Sequence, residues 1–314
     1  MKELPLTASD SASEINRGQS GGLIVIINGD AGQVRKQGPN ALRALVRRSG
    51  PADVTRIVTT DRHDIRDCLL DAAAQRPRAI AVIGGDGTAH SAIETLTPLD
   101  VPTIPLPGGT MNRLSARVFG RANLLQCVAS LEEGEPRGLA GGRVGKRSFF
   151  VAAGFGGWMQ VQSLRERLRK PKSIAGLRAL IRMAPRQFAD RVSWTSEGAA
   201  ALCHSTLIIG VGRIDTAFGF GLERHEPALF EAAGVDIGDW GDLGWVTGAA
   251  MLRRWRRLKR VTALSTRAIA IESNHEGTPT LLDGEFHMLG RVNTVTFEPK
   301  LGLVWAPTRR RAPW

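Results

Sequence analysis

The spacing of apolar residues changes partway along the chain. Up to about residue 120, short apolar runs alternate with segments whose apolar residues recur every three or four positions. Leu23–Asn28, Val54–Thr59, Ala79–Ile83 and Thr103–Leu106 have the length and content of buried strands. Between them, Leu42, Leu45 and Val46, then Ile65, Cys68, Leu69 and Ala72, then the segment from Ala89, then Leu114 and Val118, fit a helical period. Four strand-to-helix alternations predict a parallel, Rossmann-like α/β sheet with right-handed crossovers. From about Arg143 the runs shorten and lie between glycine-rich turns: Ser148–Ala153, Arg191–Thr195, Thr206–Val211, Ala268–Glu272, Thr294–Phe297 and Leu303–Trp305. They predict a mainly antiparallel, sandwich-like second part, with helical insertions at 164–188 and 243–260. The expected organisation is a flexible lead over 1–22, an α/β domain over 23–140, a β-rich domain over 141–307 whose last strands turn back toward the first, and a basic tail over 308–314.

Three of the four parallel strands end in a turn followed by polar residues: Asn28–Gly32, Gly84–Thr88 and Gly108–Asn112. Ligands of such sheets bind beyond the carboxyl ends of the strands. The stretch AIAVIGGDGTAH, 79–90, is the sharpest of the three. Its glycines admit a ligand close to the backbone, and the helix start beyond supplies unpaired N–H groups and a positive dipole end. An acid inside a phosphate cradle repels phosphate unless a cation lies between them. Asp86 therefore points to a nucleotide with Mg²⁺, the metal held mostly by phosphate and water. Taken alone, GGDG reads equally well as a tight turn. No Walker-A lysine and no GxGxxG follows the first strand. Phosphoryl transfer also needs a carboxylate to accept the acceptor's proton. The segment LLDGEF, 281–286, offers Asp283 and Glu285 on either side of Gly284. Asp-Gly is also a common hairpin dipeptide, so a plain turn competes with that reading.

With 42% hydrophobic and 23% charged residues the chain reads as globular, and its net charge of +12 calls for an anionic partner. Zinc-finger spacing, RNP-type aromatics and tyrosine are all missing, which argues against nucleic acid. An acidic membrane surface remains. In 243–260, Trp245, Leu252, Trp255 and Leu258 oppose Arg253, Arg254, Arg256 and Arg257, the pattern of an interfacial helix; 164–188 is similarly basic. A helix packing its apolar face on the second domain is the alternative. No run approaches the ~18 apolar residues of a bilayer span, and three cysteines without ligand spacing suit a reducing compartment. The expectation is a cytoplasmic protein meeting the inner face of the membrane peripherally. The six histidines form no ligand cluster in the sequence.

The set Asn28-x-x-x-Gly32, GGDGT at 84–88, PGGTMN at 107–112 and DGE at 283–285 resembles the diacylglycerol kinase catalytic family, which also includes sphingosine and ceramide kinases. The resemblance runs in order from Leu23 to Pro307. It implies an ATP-dependent lipid kinase acting on the primary hydroxyl of a diacylglycerol, ceramide or sphingoid base. On that reading Gly84, Gly85, Asp86, Gly87 and Thr88 hold phosphates and metal. Asn28, Gly32, Gly109, Thr110 and Asn112 line the nucleotide, and Asp283 is the base, assisted by Glu285. The chain departs from the family at Asn28-Gly29 (usually Asn-Pro), His90-Ser91 (usually Asn-Glu), Met111 in the usual GTGN, and Arg113 in place of an acid. Arg113, at a helix start near the cleft, is a candidate phosphate ligand. An NAD-kinase-type enzyme shares GGDGT but gives no reason for the late DGE. A non-catalytic lipid- or nucleotide-binding protein would have no need of Asp283 as a base.

Overall fold

The computed structural model describes residues 21–120, 122–156, 159, 191–197, 200–216, 219–220, 226–238, 241–242 and 255–308. Four strands, β1 (Gly21–Asn28), β2 (Val54–Thr60), β3 (Pro77–Gly84) and β4 (Thr103–Pro107), alternate with six helices. These are α1 (Gly32–Gln37), α2 (Pro39–Ser49), α3 (Ile65–Ala73), α4 (Asp86–Leu96), α5 (Arg113–Phe119) and α6 (Leu124–Ala129). β1 pairs in parallel with both β2 and β3, and β3 with β4, so the three glycine-bearing strand ends lie side by side. Both faces of this sheet are covered. Leu23, Val25 and Ile27 pack with Val34, Leu42, Leu114 and Val118 on one face. Ile24, Ile26, Ile80 and Val82 pack with Ile65, Leu69 and Leu96 on the other. Each fully buried Ile or Leu contributes about 1.5–3 kcal/mol relative to exposure, which explains why the strands read as unbroken apolar runs.

The remaining strands are β5 (Gly134–Val144), β6 (Arg147–Phe149), β7 (Ala152–Phe155), β8 (Val192–Ser196), β9 (Leu202–His204) and β10 (Thr206–Val211). They continue with β11 (Ile214–Thr216), β12 (Gly219–Phe220), β13 (Phe230–Val235), β14 (Val261–Thr266), β15 (Ala268–Leu282) and β16 (Glu285–Pro307). Their pairings are antiparallel, around a core that includes Phe149, Phe155, Trp194, Leu207 and Phe230. The long β16 joins the two regions: it pairs antiparallel with β15 and β5, then runs parallel to β4 at Val304 and Thr103. Fourteen of the described strands thus form one hydrogen-bonded sheet, parallel at the N-terminal end and antiparallel beyond.

Several elements differ from the reading of the sequence. Helix α4 begins at Asp86, three residues before the expected Ala89, so Asp86, Gly87 and Thr88 are its first turn. Helix α1 was not expected, because it buries only Val34 and leaves no periodic signal. The run Ser148–Ala153 is two strands broken at Phe150 and Val151, because those N–H groups bond a side chain instead of a neighbouring strand. β15 and β16 are far longer than their apolar segments, with irregular pairing over 272–277 and 298–302, where apolar alternation lapses.

The expected helix at 164–188, residues 243–254 of the second basic helix, the lead up to residue 20 and the tail from 309 lie outside the described residues. The described end of the second basic segment departs from the interfacial picture. Trp255 opens a 3₁₀ turn and is only 5% exposed, packed with Ile214 and Ala233. Arg256 stacks over its ring and bonds Glu231 and the Ile214 carbonyl. The apolar side chain here completes the core, and the neighbouring cation has an acidic partner within the fold. No helix among the described residues is long and apolar enough to cross a membrane.

Candidate active site

The ends of β1, β3 and β4 meet through backbone. Gly108 N–H donates to the Gly84 carbonyl at 2.9 Å, and Gln33 N–H to the Gly108 carbonyl at 3.1 Å. A Cβ on Gly109 would lie 2.5 Å from Gly85 Cα, and one on Gly108 would lie 2.9 Å from Gly84 N, so both positions require glycine. Gly32 comes near Thr110, whose Oγ1 is 3.9 Å from where a Gly32 Cβ would stand. Asn28 is buried and donates from Nδ2 to Thr88 Oγ1 at 2.8 Å, tying the end of β1 to the first turn of α4. Asn112 has left-handed φ, and its amide exchanges hydrogen bonds with the Gly109 N–H and carbonyl. Asn112 therefore shapes the loop from within it, while Thr110 and Met111 are exposed at its tip.

Ala89 is the first residue of α4 whose N–H returns to a preceding carbonyl, that of Gly85. The N–H groups of Asp86, Gly87 and Thr88 therefore form the open end of the helix, where its dipole is positive. Asp86 Oδ1 accepts the Leu114 N–H at 2.9 Å, joining the start of α5 to that of α4. Burial raises the Asp86 pKa above its ordinary value, opposed by the Leu114 N–H and by the charge of Arg113 nearby. A closely packed glycine floor, an open helix end and a half-buried carboxylate fit a nucleotide phosphate with its divalent cation. Among the described residues no group of three or more His, Cys, Asp and Glu is arranged to hold a metal unaided, so phosphate oxygens would complete its shell.

The facing wall is the β15–β16 hairpin. Asp283 and Gly284 have φ of 49° and 97°, as a type I′ Asp-Gly turn requires. The turn reading and the site reading are both satisfied, because the Asp283 side chain folds back onto the break between β6 and β7. Its Oδ2 accepts Phe150 N–H at 2.7 Å; Oδ1 accepts Val151 N–H at 2.7 Å and Ala152 N–H at 2.9 Å. His90 Nδ1 lies 3.1 Å from Oδ2. Arg117 of α5 holds the same break from behind, donating to the carbonyls of Ala140 and Phe150.

His90 sits one turn after Asp86 on α4. Its Nε2 is 3.1 Å from Ser148 Oγ, which donates to Glu94 Oε1 at 2.6 Å. Burial works to lower the His90 pKa, but the bonds to Asp283 and Glu94 outweigh it and push the pKa up to about 10. The hydrogen bond from His90 in turn holds the Glu94 carboxyl below its usual range. The chain Asp283, His90, Ser148, Glu94 is therefore a closed network with an imidazolium between two carboxylates.

A cleft of about 250 Å³ separates the two walls, lined by Asp86, His90, Arg147, Asp283, Glu285 and His287, among others. Burial and the charge of Arg147 lower the His287 pKa. Glu285 reaches across the cleft: its Oε1 would stand 3.3 Å from a Cβ on Gly87. The structure thus places Asp86, Gly87, Asp283 and Glu285 around one space, while Asn28, Gly32, Gly84, Gly85, Thr88, Gly109, Thr110, Asn112 and Arg113 do not line it. The sequence reading had not placed Glu94, Lys146, Arg147, Ser148 or His287 there, and had set His90 apart only as a departure from the family. The residues at 86, 90 and 94 share one helical face, a signal available once α4 is seen to start at Asp86.

Known proteins resemble this chain in sequence and in fold. Residues 22–144 match the family model of the diacylglycerol kinase catalytic domain. A diacylglycerol kinase of Mycobacterium tuberculosis (strain CDC 1551 / Oshkosh) is 35% identical over 112 residues, and that of strain ATCC 25618 / H37Rv matches equally. The match covers 35% of this chain and spans only 35% of the length of those curated relatives. A solved diacylglycerol kinase structure from Bacillus anthracis str. Sterne superposes with a TM-score of 0.60 at 14% identity, over 92% of this chain and 97% of that one. Another structure from the same organism reaches 0.65 at 14% identity, with the same coverage. At such identity the likeness is one of fold, and it extends to the joined parallel and antiparallel regions. Residues 22–144 are thus similar in sequence to the diacylglycerol kinase catalytic domain, and the whole chain is similar in fold to solved structures described as diacylglycerol kinases.

Proposed function

We propose that this protein is an ATP-dependent lipid kinase, transferring the γ-phosphate to the primary hydroxyl of a membrane lipid of the diacylglycerol, ceramide or sphingoid-base class. The observation that carries the reading is the opposition of the first turn of α4, at Asp86 and Gly87, and the DGE hairpin across one cleft, with Glu285 reaching toward Gly87. Phosphoryl transfer needs a bound donor, charge stabilisation and a carboxylate for the acceptor proton. Gly84–Thr88 and Gly108–Thr110 supply backbone for the phosphates, and Asp86 a ligand for Mg²⁺. Bound there, Mg²⁺ would neutralise phosphate charge and orient the donor. Asp283 and Glu285 form the acceptor side. Arg147 and His287 border that side and favour the negative charge of phosphates entering the cleft.

In this reading residues 23–140 hold the nucleotide and 141–307 the lipid, and the net charge of +12 brings the protein to anionic bilayers as a peripheral partner. The test is ATP-dependent phosphorylation of a lipid panel in mixed micelles, with NAD as a control acceptor. Label in one lipid class is the expected result. Label in NAD alone would make this a soluble small-molecule kinase, and labelling of neither acceptor would end the kinase reading.

A further inference from the structure

The cations around the cleft are not all accounted for by acids of the fold. Arg143 is held by Glu298, and the His90 imidazolium lies between Asp283 and Glu94. Lys146 and Arg147 line the cleft, are exposed, and form no hydrogen bond or ion pair among the described residues. The β5–β6 hairpin fixes them there. Val144 pairs with Arg147, so Gly145 and Lys146 form a two-residue turn, and the φ of 57° at Gly145 fits the type II′ form with glycine first. The charge of Arg147 reaches His287 of β16, so this turn lies close to the DGE hairpin. The rest of the lining is polar too, with Leu282 the only apolar side chain among its described residues. At two of its positions the departures from the family pattern both move toward positive charge: His90 stands for a neutral Asn, and Ser91 for an acid.

Resting on the lipid-kinase reading, we infer that the acceptor is an anionic glycerolipid: a diacylglycerol already carrying a phosphodiester headgroup that ends in a primary hydroxyl, with the phosphodiester held by Lys146 and Arg147. A bare diacylglycerol presents esters and hydrocarbon within a few bonds of its hydroxyl. To bring that hydroxyl between Glu285 and Gly87, it would press them against Lys146 and Arg147, which would lose water and gain no partner. A headgroup phosphate reverses that balance. Its charged oxygens suit the planar fork of Arg147 and the ammonium of Lys146. The glycerol beyond the phosphate carries the hydroxyl into the polar space between the DGE hairpin and the first turn of α4, and the acyl chains stay in the bilayer. In the transfer, the hydroxyl oxygen bonds to the γ-phosphorus as the bond from that phosphorus to the β–γ bridging oxygen breaks. The electron pair leaves on ADP, and the hydroxyl proton passes to a carboxylate of the hairpin. The product carries a phosphomonoester beyond its phosphodiester.

ATP is the other source of phosphate at this cleft, and the test separates the two. The full-length protein is assayed in neutral detergent micelles with ATP and one lipid at a time: diacylglycerol, ceramide, sphingosine or phosphatidylglycerol, which has the inferred headgroup chemistry. Phosphatidylglycerol is expected to be used with a kcat/KM about tenfold or more above the others. Replacing both cations, Lys146→Met with Arg147→Met, should raise the KM for phosphatidylglycerol by about 10- to 100-fold, the loss expected of charge-assisted bonds. The KM for ATP and the Tm should stay at their wild-type values. Calorimetric titration with monomeric dihexanoyl phosphatidylglycerol should show the same loss of affinity without turnover.

Three results would overturn the inference. One is a neutral lipid used as well as phosphatidylglycerol. Another is a KM change in the double variant that falls on ATP, which would place the cations on the nucleotide. The third is diacylglycerol rising to the phosphatidylglycerol rate once phosphatidylserine, an anionic lipid without a free hydroxyl, is added to the micelles; the cations would then serve the surface and not the acceptor. A wild type that phosphorylates no lipid would instead refute the kinase reading on which the inference rests.

Discussion

On the proposed donor side of the cleft three loops meet through backbone, Gly109 against Gly85 and Gly108 against Gly84. On the acceptor side the contacts are made by side chains from separate elements: His90 and Glu94 of α4, Ser148 of β6 and Asp283 of the β15–β16 turn. The first arrangement tolerates no added atoms and would suit any phosphate, since N–H groups at a helix start read charge rather than identity. The second holds a specific geometry through charge, and so depends on protonation. A donor common to many enzymes and an acceptor particular to one would each be served by the appropriate side.

The difference can be broken most severely at Asp283. Replacing it with Ala orphans three buried N–H groups and one imidazolium, and should cost about 3–5 kcal/mol of stability by urea unfolding. A cost under 1 kcal/mol would mean that the acceptor wall does not depend on this carboxylate. On the donor side, Gly109→Ala places a Cβ 2.5 Å from the Gly85 backbone. It should cost about 1–3 kcal/mol as an overpacked site and weaken ATP binding by at least tenfold in calorimetry, while leaving the Asp283 network intact. Unchanged ATP affinity would separate the two glycine loops from nucleotide binding.

The smallest expected effect concerns pH. Because folding raises the His90 pKa from 6.5 to about 10, its contribution to stability is complete below pH 6.5 and is lost as pH rises through about 10. The wild-type Tm should therefore fall between those limits, and His90→Gln, which cannot ionise, should flatten the fall. Parallel Tm profiles for the two proteins would remove the imidazolium from the account.

The two sides were also unequally legible in the sequence. Gly84–Thr88 and Gly108–Asn112 stood out because close backbone approach leaves few residues but glycine, and because strand and helix periods place them at one sheet edge. Asp283 and Glu285 were found as a pair, yet the bonding of Asp283 was hidden. It depends on N–H groups at Phe150 and Val151 that an apolar run appeared to commit to a strand, and on a His90 contact 193 positions distant. Trp255 shows the same limit: an amphipathic pattern fits a membrane face and a core face equally well, and only the location of Ile214 and Ala233 decides between them.

The meeting of β16 with β4 bears on how the protein is made. Val304 pairs beside Thr103, 201 positions earlier in the chain, and β4 leads into the second glycine loop of the cradle. Until Val304 has left the ribosome, the far edge of β4 is an unpaired strand edge, open to wrong partners. Closure over so great a sequence separation is slow. A nascent chain would therefore display this edge while residues 108–303 are made, and the edge should be a preferred site for chaperones until β16 covers it.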